Sequence, residues 1–148
     1  MTEYAKPVPV PDEETAPFWE AARRHELAFQ RCDHCGTYAH PPVSFCRGCH
    51  NVAEPSFHFA AVNPRGKILN WTVMRDAMVR GFTDDVPWVH ALVSFDDQPS
   101  LTFTATLVDG VGDRLKLGAP VEMVFKDVSL GVTLPVFKLA QGSPHGSG

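Results

Sequence analysis

The four cysteines form two pairs, Cys32-x-x-Cys35 and Cys46-x-x-Cys49, with none left over. A two-residue spacer lets one tight turn aim two sulfurs at a single ion. Two such pairs complete the tetrahedral thiolate set that zinc, a borderline-soft cation, prefers. Gly36, directly after the first pair, stands where the backbone must reverse. Four protein thiolates leave no open coordination position, so the expected zinc is structural, not catalytic. Its binding would supply much of the folding energy of the segment, on the order of 10–16 kcal/mol in zinc-finger peptides. A redox-active dithiol is the alternative for either pair, but two pairs in this arrangement argue against it. His34 and His50 flank the cysteines and are read as solvent-exposed or as second-ring neighbours of the metal. His58 and His90 lie in strand-like runs and are read as packed or surface residues, not as catalytic bases.

No other constellation offers chemistry. There is no Gly-x-Ser-x-Gly elbow and no phosphate-cradling glycine loop, and every cysteine is committed to metal. A chain without its own nucleophile and base reads as a binding or scaffolding unit. The formal net charge of -4 and pI near 5.9 lack the basic surplus of proteins that live on phosphate backbones. The acidic balance therefore argues against nucleic acid as a partner, although Trp71, Phe95, Phe103 and Phe125 on strands could serve either as core or as stacking platforms. No run approaches the roughly 18 apolar residues of a membrane span. Met1–Tyr4 has neither the basic start nor the apolar run of a secretory signal, and the expected location is the cytoplasm.

The elements that must position the cysteines follow from pattern. Thirteen prolines and eleven glycines favour short strands and turns. Residues 1–14 read as an extended Pro-rich arm. Residues 15–26 read as a helix with Thr15 as N-cap and proline in the first turn. Its stripe of Phe18, Trp19 and Ala22 suits either the chain's own core or another subunit. Residues 27–56 form the metal-binding ribbon, led in by an alternating strand at 27–31. From residue 57 to 140 the pattern is all-β: a short strand at 57–59, then runs at 66–75, 87–95, 100–107, 121–127 and 134–139. In the third of these longer runs Leu101, Phe103, Ala105 and Leu107 share one face while Thr102, Thr104 and Thr106 share the other, the mark of a half-buried antiparallel strand. Residues 113–118 read as a turn or a single helical turn. Five main strands with one short element between the third and fourth predict a small barrel. Residues 141–148 read as a flexible tail.

Taken in order, the residues suggest a family. Phe18-Trp19-Glu20-Ala21 is followed by Leu27 to Cys35-Gly36, Pro41-Pro42 and Cys46 to Cys49. Gly66 then opens a strand with Trp71-Thr72-Val73, Gly118 precedes Val121 to Phe125-Lys126-Asp127, and Thr133-Leu134-Pro135-Val136-Phe137 closes the set. The chain resembles the zinc-ribbon/OB-fold proteins once grouped as a domain of unknown function and tied to acyl-CoA metabolism. The resemblance implies a mainly β fold with a short N-terminal helix, in which a rubredoxin-like zinc ribbon precedes a five-stranded OB-fold barrel. It also implies an accessory subunit of a thiolase-fold enzyme, in which the nucleophile and base belong to the partner. The preferred case is a lipid-transfer-protein-like aldolase that cleaves steroid or related side-chain CoA thioesters, assembled as a heterotetramer. The subunit would help to form the CoA or substrate channel.

In that light, Arg65, Lys67, Arg75 and Arg80 are candidate contacts for CoA phosphates, because a guanidinium fork matches phosphate; ordinary surface cations are the alternative. Met78 and Phe82, on the glycine-containing loop 76–86, are candidate contacts for an acyl chain or a partner, the alternative being a loop folded over the barrel end. A free-standing acyl-CoA carrier and a single-stranded nucleic-acid-binding module are the rival functions.

Overall fold

The computed structural model describes residues 6–129 and 131–140. The expected tail lies outside them.

Helix α1 spans Ala16–Arg23, shorter than the predicted 15–26. Thr15 does not cap it with its own side chain. Instead Asp12 and Thr15 bond reciprocally: the Thr15 amide donates to Asp12 Oδ1 at 2.8 Å and the Asp12 amide donates to Thr15 Oγ1 at 3.1 Å. The helical turn thus begins one turn earlier than Thr15, where a short acceptor side chain reaches the free amides. The C-terminal stop is set by His25, at φ 60°. Its left-handed backbone lets the Glu26 amide reach the Ala21 carbonyl (2.9 Å) and the His25 amide reach that of Ala22 (2.8 Å), a Schellman closure without glycine. Phe18, Ala21 and Ala22 are buried, so the apolar stripe packs on the chain's own core, with Trp19 half-buried and edge-on to Phe18.

Strands β1 (Ala28–Cys32), β2 (Tyr38–Ala39) and β3 (Phe57–Ala61) form an antiparallel sheet in the order β2-β1-β3. The strand at Phe57, read from sequence as the start of the barrel segment, therefore pairs with the ribbon. Register explains it: β3 pairs with all five residues of β1, and Phe57 lies opposite Cys32. Gln30, buried in β1, grips the loop between the cysteine pairs. Its amide donates to the Val43 carbonyl (3.0 Å) and accepts from the Val43 amide (2.8 Å).

The barrel consists of β4 (Arg65–Met74), β5 (Trp88–Phe95), β6 (Gln98–Leu107), β7 (Pro120–Ser129) and β8 (Val132–Leu139), closed in the order β4-β5-β6-β8-β7. Closure requires β4 to serve two neighbours. It pairs with β7 through Arg65–Lys67 and with β5 from Gly66 to Met74, and an irregularity between Ile68 and Asn70 bends it between the two. Gly66 sits where this crossing is tightest: a Cβ there would lie 2.3 Å from the Ser94 carbonyl oxygen. The alternation expected in β6 holds, with Leu101, Ala105 and Leu107 buried and Phe103 packed against the core. The connection around residues 113–118 is made of turns, with no helix.

Ribbon, helix and barrel share one core. Phe29, fully buried in β1, lies 5.7 Å from Phe18, 5.5 Å from Phe95 and 5.6 Å from Phe103 between ring centroids. Offset and edge-on aromatic pairs of this kind add to the gain from removing their area from water. They fix the position of the ribbon on the barrel.

Candidate functional site

The two cysteine turns meet at the far end of β1. Cys32 and Cys46 are buried, whereas Cys35 and Cys49 are exposed. All four sulfurs lie within 4.8 Å of one another, with Cys32–Cys49 at 3.8 Å and Cys35–Cys46 at 3.5 Å. A tetrahedron of Zn–S bonds about 2.3 Å long has sulfurs about 3.8 Å apart, so the donor set fits zinc. The two turns repeat one geometry. The Gly36 amide donates to the Cys32 carbonyl (2.9 Å), and the His50 amide donates to that of Cys46 (3.0 Å). Both residues are left-handed, Gly36 at φ 79° and His50 at φ 56°. The first reversal is marked in the sequence by its glycine; the second, which histidine fills, carries no such mark.

The electrostatics of the donor set also call for a cation. Hydrogen bonding with Thr37, whose Oγ1 lies 3.1 Å from Cys35 Sγ, draws the Cys35 thiol down to about 6. Cys49 is pushed up to about 11: the Asn51 amide lowers it, but burial and the neighbouring sulfurs outweigh that. Four sulfurs this close cannot all be thiolates without positive charge among them. The Gly48 amide donates to Cys46 Sγ at 3.2 Å. His34 turns away, with Nε2 2.7 Å from the Glu54 carbonyl oxygen, and His50 is exposed, so neither joins the cluster.

Two groups on the surface combine a hydroxyl, a carboxylate and an imidazole. Asp33 bonds both Ser56 Oγ and His58 Nδ1. Asp127 accepts from Thr133 Oγ1 (2.6 Å) and meets His25 Nε2 at 3.2 Å. In each the carboxylate stands in the middle. A hydrolytic triad instead needs the imidazole against the hydroxyl, to take its proton. Both groups therefore hold structure: the second ties the end of α1 to β7, where the His25 ring also stacks on Phe125 at 5.4 Å.

The candidate ligand residues divide. Arg75, Met78 and Phe82 come together with Val73, Val79 and Trp88 around an open apolar pocket of about 490 Å³ at one end of the barrel. Phe82 folds onto Trp88 (5.2 Å), while Met78 stays 95% exposed at the loop tip. Arg80 is exposed on the same loop. Arg65 and Lys67 stand at the opposite end of β4, about 30 Å of strand path away. The four candidate cations therefore fall into two pairs at opposite ends of the strand. Arg65 lies 3.8 Å from Glu122. Of the four aromatic residues considered as stacking platforms, Phe95 is fully buried, and Trp71, Phe103 and Phe125 pack against the core. His90 is exposed on β5. Among the described residues no helix is long and apolar enough to cross a membrane.

Two family models match this arrangement in sequence. Residues 19–52 match the rubredoxin-like zinc ribbon domain of ChsH2, and residues 60–126 match its C-terminal OB-fold domain. The chain belongs to this zinc-ribbon/OB-fold family. Among solved structures, this family member superimposes on a chain of the Ltp2-ChsH2(DUF35) aldolase with a TM-score of 0.76 and 27% identity, covering 90% of the present chain and 99% of the other. It is 29% identical over 135 residues to a probable enoyl-CoA hydratase alpha subunit of Thermomonospora curvata, covering 91% of this chain but 40% of that relative's length. It is 27% identical over 116 residues to a DUF35 domain-containing scaffold protein of Methanothermobacter thermautotrophicus, covering 78% of this chain and 84% of the relative.

Proposed function

We propose that this chain is a non-catalytic accessory subunit of an acyl-CoA enzyme. The observation that carries the reading is the match to a chain of an aldolase named for two components, Ltp2 and ChsH2, over nearly the full length of that chain. The lack of a nucleophile–base pair in either surface carboxylate cluster supports it. Cys32, Cys35, Cys46 and Cys49 would hold zinc, which when bound supplies structural charge neutralisation and cross-linking. The residues themselves then set the face that the ribbon presents to a partner.

The finer reading is a thiolase-fold partner, two copies of each chain, and carbon–carbon cleavage of a steroid or related side-chain CoA thioester. A symmetric dimer of the partner would bind the accessory chain twice. In this arrangement Met78 and Phe82 would contribute apolar surface to the acyl channel, and Arg75 and Arg80 would supply the nearby cationic contacts for CoA.

Affinity purification from the native host at moderate salt, with mass spectrometry of what co-elutes, tests the assembly. A stoichiometric thiolase-like protein is the expected result. The purified complex should bind acyl-CoA more tightly than the isolated chain. A chain that elutes alone and binds acyl-CoA equally well by itself would sink the subunit reading and favour a free-standing carrier.

A further inference from the structure

Residues 6–9 of the Pro-rich arm lie against the barrel and wall an open cavity of about 680 Å³, within the range of small-molecule sites. Pro7, Val8 and Pro9 form one side, and Trp88, Leu134 and Val136 lie among the barrel residues that form the other. Three charged residues line it: Lys6, Asp85 and Lys126. Lys6 pairs with Asp85 and places its ammonium 5.3 Å from the centroid of the Phe82 ring. Lys126 is exposed and makes no ion pair with any described residue. Lys126 is the charge in this lining that an anionic ligand could balance.

Among the described residues no backbone hydrogen bond joins residues 7–11 to the barrel. Lys6 meets Asp85 and Phe82, and contacts of this kind near the surface are individually weak. Proline keeps such a segment extended in either position, which limits the entropy lost when it closes.

We propose that this cavity binds an apolar monoanion, in chemical class a medium-chain carboxylate. The ligand enters as the arm swings aside. Its chain lies against Trp88, Leu134 and Val136, and Lys126 holds its carboxylate. This assignment is independent of the accessory-subunit reading, because the free chain carries the whole site.

The test uses the full chain loaded with zinc, titrated calorimetrically with sodium decanoate, and with decan-1-ol and acetate as comparators. Decanoate should bind one to one, and acetate should not bind measurably. Lys126→Gln, a surface change that leaves the core intact, should weaken decanoate about tenfold and leave decan-1-ol within twofold. Lys6→Ala unlatches the arm and should speed decanoate association in stopped-flow tryptophan fluorescence. Absence of saturable decanoate binding, or binding that Lys126→Gln leaves within twofold, overturns the site. An unchanged association rate in Lys6→Ala overturns the arm's part in it.

Discussion

Gly48 is the position at which the metal centre is most sensitive to one added carbon. A Cβ built there lies 2.5 Å from Thr37 Oγ1, 3.2 Å from Thr37 Cβ and 3.3 Å from Cys35 Sγ. Relieving the closest contact needs a movement of roughly 0.7 Å, since unbonded carbon and oxygen settle near 3.2 Å or beyond. Zinc–ligand distances tolerate only about 0.2 Å. Thr37 is also hydrogen bonded to Cys35, so displacing it disturbs the ligand that it helps to ionise. Gly48→Ala should therefore lower zinc affinity about 10–100-fold, the usual cost of disturbing groups that orient metal ligands. That corresponds to roughly 1.4–2.7 kcal/mol. Competition with a chromogenic chelator at fixed pH measures it. Thr37→Ala alone should cost a few-fold through the lost hydrogen bond. In the double variant the closest clash is gone, and at least half of the Gly48→Ala loss should return, a coupling visible in the double-mutant cycle. An affinity within threefold of wild type for Gly48→Ala, or strictly additive effects, would refute the reasoning.

Other changes test the fold and its electrostatics. Gly66→Ala drives a Cβ against the Ser94 backbone and should cost about 3 kcal/mol through overpacking and loosened β4–β5 pairing. Gly118→Ala meets no atom within 4 Å and should cost only about 1 kcal/mol for its φ of 78°; denaturant unfolding should rank them in that order. Gln30→Leu strands both backbone groups of Val43 and should cost about 2 kcal/mol, with protection of the Val43 amide lost in hydrogen exchange. Asp127 is held below its ordinary pKa of 3.8, first by the Thr133 hydroxyl and then by His25. Its folded pKa is the lower one, so its contribution is present above the unfolded value and is lost as pH falls below about 4. Asp127→Asn should flatten the stability-versus-pH curve in that acidic window and leave the rest of the curve's shape unchanged.

The zinc centre was legible because it is local: two-residue spacings and a glycine dictate turn geometry before any long-range contact forms. The barrel strands were legible for a similar reason, since alternation in 100–107 reports which side faces the core. What local pattern cannot carry is choice of neighbour. The strand at Phe57 has no feature in its own sequence that assigns it to β1; the full-length register with β1 does so. Thr15 looks like a cap, but Asp12 takes part because the chain enters the helix one turn earlier. His50 in the left-handed region carries no glycine to announce it.

The same division governs the ligand residues. Arg65, Lys67, Arg75 and Arg80 are close in sequence, yet an extended strand advances about 3.3 Å per residue and separates them to opposite ends of β4. The cavity beneath the arm had no sequence signature, because its walls come from four separate stretches of chain, among them Lys6–Pro9, Trp88, Leu107 and the pair Leu134 and Val136. The sequence by itself determined the metal ligands, the barrel strands and the absence of a familiar catalytic motif, all properties of short-range spacing. Only the tertiary structure decided which cations share a site, which aromatic residues are spent in the core and where an apolar ligand could lie. Those depend on barrel closure, which brings together residues that the chain keeps far apart.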